Sequence, residues 1–247
     1  MKIGIATTTR YAQMDDLRAQ LALGMIRTAQ TLDISVVTAD ESTANVFRTC
    51  ALRLGATVCF PRGEEVTMGA GRRLAIEEAS KLVGSDGVVV WMEPEKEPLV
   101  EFLPVLCAPI RNGAADIVVP ARTAEGFQSY PLIQALAEQL GNAVFRHLTG
   151  LELDVWFGPR ILSSKAIPYF LHYEGTYGDR WDSIFVPLLR AKSAGLRLVG
   201  SAVEYRHPKE QTAQEQHDTG VGILKRIDQL HSLVTALCLE TATPAQL

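Results

Sequence analysis

The sequence predicts an α/β fold: a central, mostly parallel sheet flanked by helices and built as a single domain. Three observations lead there. Through the first half, short apolar runs alternate with longer segments whose apolar residues recur at helical spacing, the pattern of a parallel sheet covered on both faces. The run Val88–Trp91 is apolar without a break, as a strand buried on both faces should be. The chain has 247 residues, 47% hydrophobic and 21% charged, enough for a full core without disulfide or metal staples.

The elements follow in order. Lys2–Ala6 reads as the first strand and Asp15–Leu32 as an amphipathic helix. Ile34–Thr38 is a second strand running into Ala39-Asp40-Glu41-Ser42. Thr43–Leu54 is a second helix with Val46, Cys50, Ala51 and Leu54 on one face, and Thr57–Phe60 a short third strand. Met68–Val83 reads as a third helix, Gly87–Trp91 as a fourth strand, Pro98–Asn112 as helical and Asp116–Pro120 as a fifth strand. The rhythm then changes. Pro131–Leu148 predicts one long helix with Leu132, Leu136, Leu140, Val144 and Leu148 in a stripe. Leu151–Ser164 reads as irregular and Ala166–Leu171 as a short helix. Ser183–Ala194 is a helix ended by Gly195, which takes the left-handed cap conformation without steric cost. Leu196–Tyr205 is a strand, and residues 209–220 (KEQTAQEQHDTG) read as a polar, mobile loop. Val221–Cys238 closes as a helix, with Val221, Leu224, Ile227, Leu230, Val234 and Leu237 facing its own core or a partner subunit, its own core being the expectation.

Composition narrows the function classes. A net charge of −4 argues against nucleic-acid binding, which wants a basic face. Cys50, Cys59, Cys107 and Cys238 fall in no metal-ligand or CxxC spacing, so they read as reduced residues of a cytoplasmic protein. The opening MKIGIATTTR is too short an apolar run for a signal peptide, and no stretch approaches the ~18–20 apolar residues of a membrane span.

Ligands of open α/β sheets sit beyond the carboxyl ends of the parallel strands. Three such ends are polar: Thr7-Thr8-Thr9-Arg10, Asp40-Glu41-Ser42 and Glu93-Pro94-Glu95. The first two are also what plain solvent-facing strand ends look like. The third is more pointed. Pro94 stiffens the turn, and two carboxylates two residues apart after a buried strand suit a divalent cation, though acids also suit a helix start. The stretch MGAGRR, Met68–Arg73, opens a helix: Gly69 and Gly71 permit close approach of a ligand, and Arg72 and Arg73 can bond phosphate or simply be solvated. The GxGxxG of a dinucleotide site is absent after the first strand, as is a phosphate-cradling Walker loop. His207 follows a strand and precedes Pro208, open to a metal-ligand or a packing role. His147, His172, His217 and His231 read as ordinary. Asp179 suits a helix N-cap, whereas Asp182, in the first turn, reads as a base.

Taken together, these segments resemble the nucleotide-sugar-dependent glycosyltransferases of the GT-A fold, in particular family-2 enzymes of the dolichol-phosphate mannose synthase kind and the mannosylglycerate synthases. The resemblance spans nearly the whole chain. Asp40-Glu41-Ser42 is similar to that family's acidic segment after the second strand, Met68–Arg73 to its Gly-rich helix start, and Glu93-Pro94-Glu95 stands in the place of its DxD motif, each acid one methylene longer. Asn142–Asp154 and Phe157–Ser164 resemble its helix, "G…D" turn and "GFRL" stretch. Asp182 is similar to its acidic catalytic motif, and His207 to its terminal metal-binding histidine.

The resemblance implies a glycosyltransferase that moves a sugar from a nucleotide-diphospho-sugar to a hydroxylated acceptor, be it a small molecule, lipid or glycan. Glu93 or Glu95, or both, would hold Mg²⁺ or Mn²⁺ on the diphosphate, with His207 as a third ligand. Thr7, Thr8, Arg10, Asp40, Glu41, Gly69, Gly71, Arg72 and Arg160 would contact substrate, with Asp182 orienting the acceptor hydroxyl and, in an inverting enzyme, acting as the general base. Residues 1–125 would form the nucleotide-sugar half, and residues 126–247 the acceptor half with the C-terminal helix. Two rivals are a non-catalytic nucleotide-sugar-binding protein of the same fold and a sugar nucleotidyltransferase. The second would need a Gly-rich loop after the first strand, which Thr7–Arg10 does not supply.

Overall fold

A computed structural model describes residues 1–61, 67–217 and 219–242. The strands are β1 (Ile3–Thr9), β2 (Ser35–Asp40), β3 (Thr57–Cys59), β4 (Val88–Trp91), β5 (Ile117–Arg122), β6 (Arg160–Ser163) and β7 (Leu198–Val203). The helices are α1 (Leu17–Thr31), α2 (Asn45–Arg53), α3 (Met68–Val83), α4 (Leu103–Leu106), α5 (Ala108–Arg111), α6 (Ala124–Gln128), α7 (Leu132–Thr149), α8 (Ile167–Leu171), α9 (Asp182–Ser193), α10 (Lys209–His217) and α11 (Thr219–Ala242). The strands form one sheet in the order β3-β2-β1-β4-β6-β5-β7. Strands β1 to β4 pair in parallel, β6 runs antiparallel between β4 and β5, and β7 is parallel to β5. The α/β class and mostly parallel sheet expected from the sequence are therefore those found.

Strand alternation divides the core into two layers. Val88 and Val90 face α1, α2 and the Leu99–Leu106 segment, while Val89 and Trp91 face α3, α8 and α9. All four residues are at most 1% exposed, and burial of each large apolar side chain contributes about 1.5–3 kcal/mol. The strand that carries Glu-Pro-Glu is thus held from both faces. Its neighbours set what stands beside that motif. Ala6 pairs with Trp91 in parallel, so the ends of β1 and β4 open on the same edge. Trp91 pairs with Arg160 in the antiparallel direction, and two residues further on the same register sets Gly158 opposite Glu93.

Several sequence expectations change on folding. The irregular stretch contains β6, whose Ile161 and Leu162 are fully buried in mid-sheet. The predicted helix Pro98–Asn112 is instead a 3-10 turn (Glu97–Phe102) followed by α4 and α5, because Pro98, Pro104 and Pro109 remove N–H donors. The loop expected over 209–220 is helical as α10, started after Pro208 and supported by Gln211 Nε2 donating to Glu215 at 3.0 Å, one turn on; Asp218 lies outside the described residues. Gly195 does follow α9 with φ +86°.

The three apolar stripes also turn out differently. On α2, Val46 is exposed and the buried residues are Phe47 and Ala51. On α7, Leu132, Leu136 and Leu140 are 53–68% exposed, and the buried face is Ala135, Glu138, Gly141 and Phe145. On α11, Val221, Leu224 and Ile227 are exposed, and burial begins only near Leu233, Ala236 and Leu237. The cause on α7 is polar. Arg122, at the end of β5, is buried and donates from Nε and Nη2 to Asp154 at 2.8 Å each and from Nη1 to Glu138 at 2.5 Å. Pulling Glu138 inward rotates α7, and Gly141 lets the Trp156 ring lie within 2.5 Å of where a Cβ would stand.

Breaking a buried ion network leaves uncompensated charge, which costs about 3–5 kcal/mol. Arg122→Met should therefore lower stability by that amount in urea unfolding; a loss within the error of the fit would remove the network from the fold's supports. Acid should act through the same group. Burial alone would raise the Asp154 carboxyl, but the Arg122 hydrogen bonds and charge outweigh it and the net shift is downward. The unfolded chain then takes up the proton first, so the contribution is complete above the ordinary Asp value of about 3.9 and is lost as pH falls through the lower folded value. Asp154→Asn, weaker at neutral pH, should show the shallower decline below pH ~4.

Candidate functional site

The switch point of this sheet lies between β1, which leads outward to β2 and β3, and β4, which leads the other way. A cleft of about 310 Å³ opens there, beyond the carboxyl ends of both strands. Its floor is Trp91 and the segment Glu93-Pro94-Glu95-Lys96. Thr8 from β1 and Met68 and Arg72 from α3 form one wall; Tyr130, Trp156, Phe157, Tyr205 and His207 form the other. Glu215 of α10 and Lys225 and Arg226 of α11 close the far side.

Glu93, opposite Gly158, has a buried Oε2 with no hydrogen-bond partner, and Lys96 Nζ stands 3.9 Å from it. Gly158 has φ +105°, and a Cβ there would strike the Glu93 carboxylate, so only glycine leaves that carboxylate room. Burial pushes the Glu95 carboxyl up, the Arg18 charge pulls it down, and Glu93 pushes it up again. Lys96 is caged: its ammonium lies 4.7 Å from the Phe157 ring centre, 5.6 Å from that of Tyr205 and 5.9 Å from that of Tyr130. Such a cage holds the ammonium at ion-pair distance from Glu93, too long for a hydrogen bond.

His207 is buried. Its N–H donates to Ser129 Oγ at 2.8 Å, its Nδ1 is bonded to Thr212 Oγ1 at 2.7 Å, and its ring lies over Tyr130. Burial, then Lys96, pushes its pKa down to about 4, so it is neutral at pH 7 with Nε2 facing Glu215 Oε2 at 4.0 Å. That Glu215 oxygen is itself buried without a hydrogen-bond partner. The three residues expected to hold a metal thus line one cleft. Among the described residues no three His, Cys, Asp or Glu side chains converge closely enough to hold an ion unaided.

The nucleoside side is assembled in part. A Cβ on Gly71 would stand 3.3 Å from Thr8 Cγ2 and 3.6 Å from Glu41 Oε1, so Thr8, Glu41 and Gly71 meet. Thr7 is buried with an unpartnered hydroxyl, and Arg10 is exposed. Asp40 is spent within the fold, accepting from Thr9 Oγ1, Ser42 Oγ and Arg48 Nε at 2.6–3.1 Å. Arg72 lines the cleft but gives Nη1 to the Arg180 carbonyl and Ser183 Oγ and leaves a buried Nε unpartnered. Burial pushes it down to about 10, against the pull of Glu93, so it stays cationic at pH 7. Arg160 is fully buried behind the floor, where it caps the carbonyls of Val155, Gly158 and Pro159; burial lowers it likewise to about 10.

Asp182, expected as the base, lies outside the cleft lining. It is buried, and its carboxylate accepts from the Tyr173 hydroxyl at 2.5 Å and from the N–H groups of Arg180 and Asp179 at 2.7 and 3.2 Å. Asp179 is held by Arg73 at 2.6 and 2.8 Å and by Thr67, and occupies the space where Gly69 would carry a Cβ. Gly69 is therefore required by Asp179 rather than by a ligand, and the two acids latch the 175–182 turn onto the start of α3. Sequence reasoning missed Arg18, Lys96, Tyr130, Trp156, Phe157, Tyr205, Glu215, Lys225 and Arg226. Lys96 adjoins Glu95 and was legible by position; the aromatics come from three distant segments and carried no local signal.

No protein-family model matches the chain, and no curated protein sequence does. The fold is shared with glucosyl-3-phosphoglycerate synthase from Mycobacterium tuberculosis. Its complex with Mn²⁺, UDP and phosphoglyceric acid gives a TM-score of 0.64 at 14% identity, covering 99% of this chain and 80% of that one. Its UDP complex gives 0.63 at 15% identity, covering 99% and 82%. Its complex with Mg²⁺ and UDP gives 0.57 at 15% identity, covering 91% and 79%. The GT-A fold that the sequence resembles is thus the fold the chain has.

Gly158→Ala separates a backbone cost from a collision. Gly113, at φ +67° with nothing near it, incurs only the left-handed backbone cost when replaced by alanine, whereas Gly158 adds the clash with Glu93. The Gly158→Ala protein should melt several degrees lower than Gly113→Ala, at roughly 2–4 °C per kcal/mol. Equal melting temperatures would show that Glu93 gives way freely.

Proposed function

We propose that the protein is a glycosyltransferase that uses a nucleotide-diphospho-sugar and a divalent cation. The observation that carries this is the pair Glu93 and Glu95, fixed at the end of a fully buried strand at the switch point of a GT-A sheet, with Glu93 Oε2 buried and without a hydrogen-bond partner. A diphosphate cannot approach two carboxylates without a cation between them, since like charges at ~4 Å repel by about 4 kcal/mol near a protein surface. The donor types fit: hard carboxylate oxygens and a neutral imidazole nitrogen suit Mg²⁺ or Mn²⁺. The fold neighbours, crystallised with UDP and Mn²⁺ or Mg²⁺, support the same reading.

In this reading Glu93, Glu95 and His207 would hold the ion, and the chemistry it would supply is neutralisation of the diphosphate charge. Thr8, Glu41 and Gly71 receive the nucleoside, and Arg72 lends positive charge from below. Trp156, Phe157 and Tyr205 exclude water around the sugar. The bond from sugar C1 to the diphosphate oxygen breaks, its electron pair leaving with the nucleoside diphosphate. A new bond forms from C1 to the acceptor oxygen, and the hydroxyl proton passes to a cleft carboxylate.

Titration calorimetry with UDP-, GDP-, ADP- and TDP-sugars, with and without Mn²⁺, tests this. One donor should bind in a metal-dependent way and lose about tenfold or more in affinity in Glu93→Ala and Glu95→Ala. If no donor binds in either condition, the transferase reading falls.

A further inference from the structure

The turn that carries the acid pair also carries a cation. Pro94 in the second position and a hydrogen bond from the Lys96 N–H to the Glu93 carbonyl at 3.2 Å close Glu93-Pro94-Glu95-Lys96 into a β-turn. The Lys96 side chain is thereby brought back to Glu93 and is 12% exposed. Its ammonium stands 3.9 Å from Glu93 Oε2, donates to the Tyr130 hydroxyl at 3.4 Å and lies among the rings of Phe157, Tyr205 and Tyr130. Burying an ammonium is costly, and these rings together with Glu93 offset the cost. The same charge reaches the other two residues proposed to hold the ion. Burial first, and then Lys96, pushes the His207 pKa down. On Glu95 burial pushes the carboxyl up, while a backbone hydrogen bond, Arg18 and Lys96 pull it down. Among the described residues Lys96 is the one cation at ion-pair distance from Glu93.

From this arrangement we infer that Lys96 is the resident counter-ion of the acid pair: it disfavours a free divalent cation there and favours one already neutralised by a nucleoside diphosphate. The inference rests on the transferase reading and adds to it the residue that ties the ion to the nucleotide. Two features point this way. A fixed ammonium beside Glu93 repels a second cation placed on the same carboxylates, and a diphosphate arriving with that cation brings negative charge that offsets the repulsion. The protein also offers no tight group of three His, Cys, Asp or Glu side chains among the described residues, so nothing else compensates a free ion for the ammonium. The three rings keep Lys96 in place, so its charge is present whether or not a ligand is bound.

Calorimetry with Mn²⁺ alone, and with Mn²⁺ beside each of UDP, GDP, ADP and TDP, tests this. The wild-type protein should bind Mn²⁺ alone weakly, and roughly tenfold or more tightly once its diphosphate is present. Lys96→Met removes the charge and keeps an unbranched stem among the rings. It should bind Mn²⁺ alone about tenfold more tightly than wild type, and the gain from adding the diphosphate should shrink by the same factor. Lys96→Arg, which keeps the charge, should stay near wild type. Loss of packing alone would not tighten an ion, so the gain of affinity separates the two roles; Lys96→Gln reads the same loss of charge if Lys96→Met does not fold, which circular dichroism checks. Mn²⁺ bound equally or more weakly by a folded Lys96→Met protein overturns the inference. So does a diphosphate that binds without Mn²⁺ and is lost in Lys96→Met, since Lys96 would then be the diphosphate's own cation. Nucleotide-sugar binding is measured on the same samples. Metal-dependent binding of a sugar nucleotide with no tightening in Lys96→Met sinks only the role of Lys96; Mn²⁺ bound by no variant, with or without a diphosphate, sinks both readings.

Discussion

The shape of the cleft depends on one buried cation. Arg122 is packed among Phe127, Tyr130 and Phe157, with its guanidinium carbon 4.1–4.9 Å from their ring centres, where an unpaired charge would be prohibitive. It takes Asp154 and Glu138 as partners from two different segments. Asp154 is further fixed by Asn142 Nδ2 at 2.6 Å, and Asn142 in turn accepts the Trp156 N–H at 3.1 Å. That chain of bonds places the 155–157 turn, so Trp156 and Phe157 reach the cleft wall and Gly158 arrives opposite Glu93. Apolar packing of equal volume would stabilise about as well, but it has no direction. Directional bonds are what set the rotation of α7 and the register of β6 against β4.

The cleft's electrostatics follow from which charges are already committed. Arg160, Asp40, Asp179 and Asp182 are bonded within the fold and act on the site only through position. Glu93, Glu95 and Glu215 retain unsatisfied or weakly opposed oxygens, and the nearby Lys96 is detained by three aromatic rings. Negative charge therefore dominates the floor, while at the far rim Arg18 is paired with Glu215 and Arg226 with Glu138, and Lys225 has no ion pair among the described residues.

Legibility divided along physical lines. The parallel half was readable in the order of its elements because its strands are short apolar runs: Val88–Trp91 could be little else than a doubly covered strand. The face of α2 was not readable, since Val46 of the expected stripe is exposed and Phe47 and Ala51 are the residues buried. β6 was not readable, since Arg160-Ile161-Leu162-Ser163 is too short to show alternation and its pairing partners lie far away in sequence. The α7 stripe misled because spacing alone cannot weigh an ion network, and Glu138 outcompeted three leucines for the interior. Asp182 looked like a free acid at a helix start, although Tyr173 and two backbone N–H groups already claim it.

What the sequence alone determined is the order of strands and helices in the first half and the acid pair at the end of its most buried strand. Both are local: they follow from side-chain period, from proline's fixed φ and from hydrophobic burial. Tertiary structure alone decided which charges remain free, that His207 is neutral beside Glu215, and that aromatics from three segments cage Lys96. Those properties depend on desolvation and on distances between residues remote in sequence, and neither exists until the chain has packed.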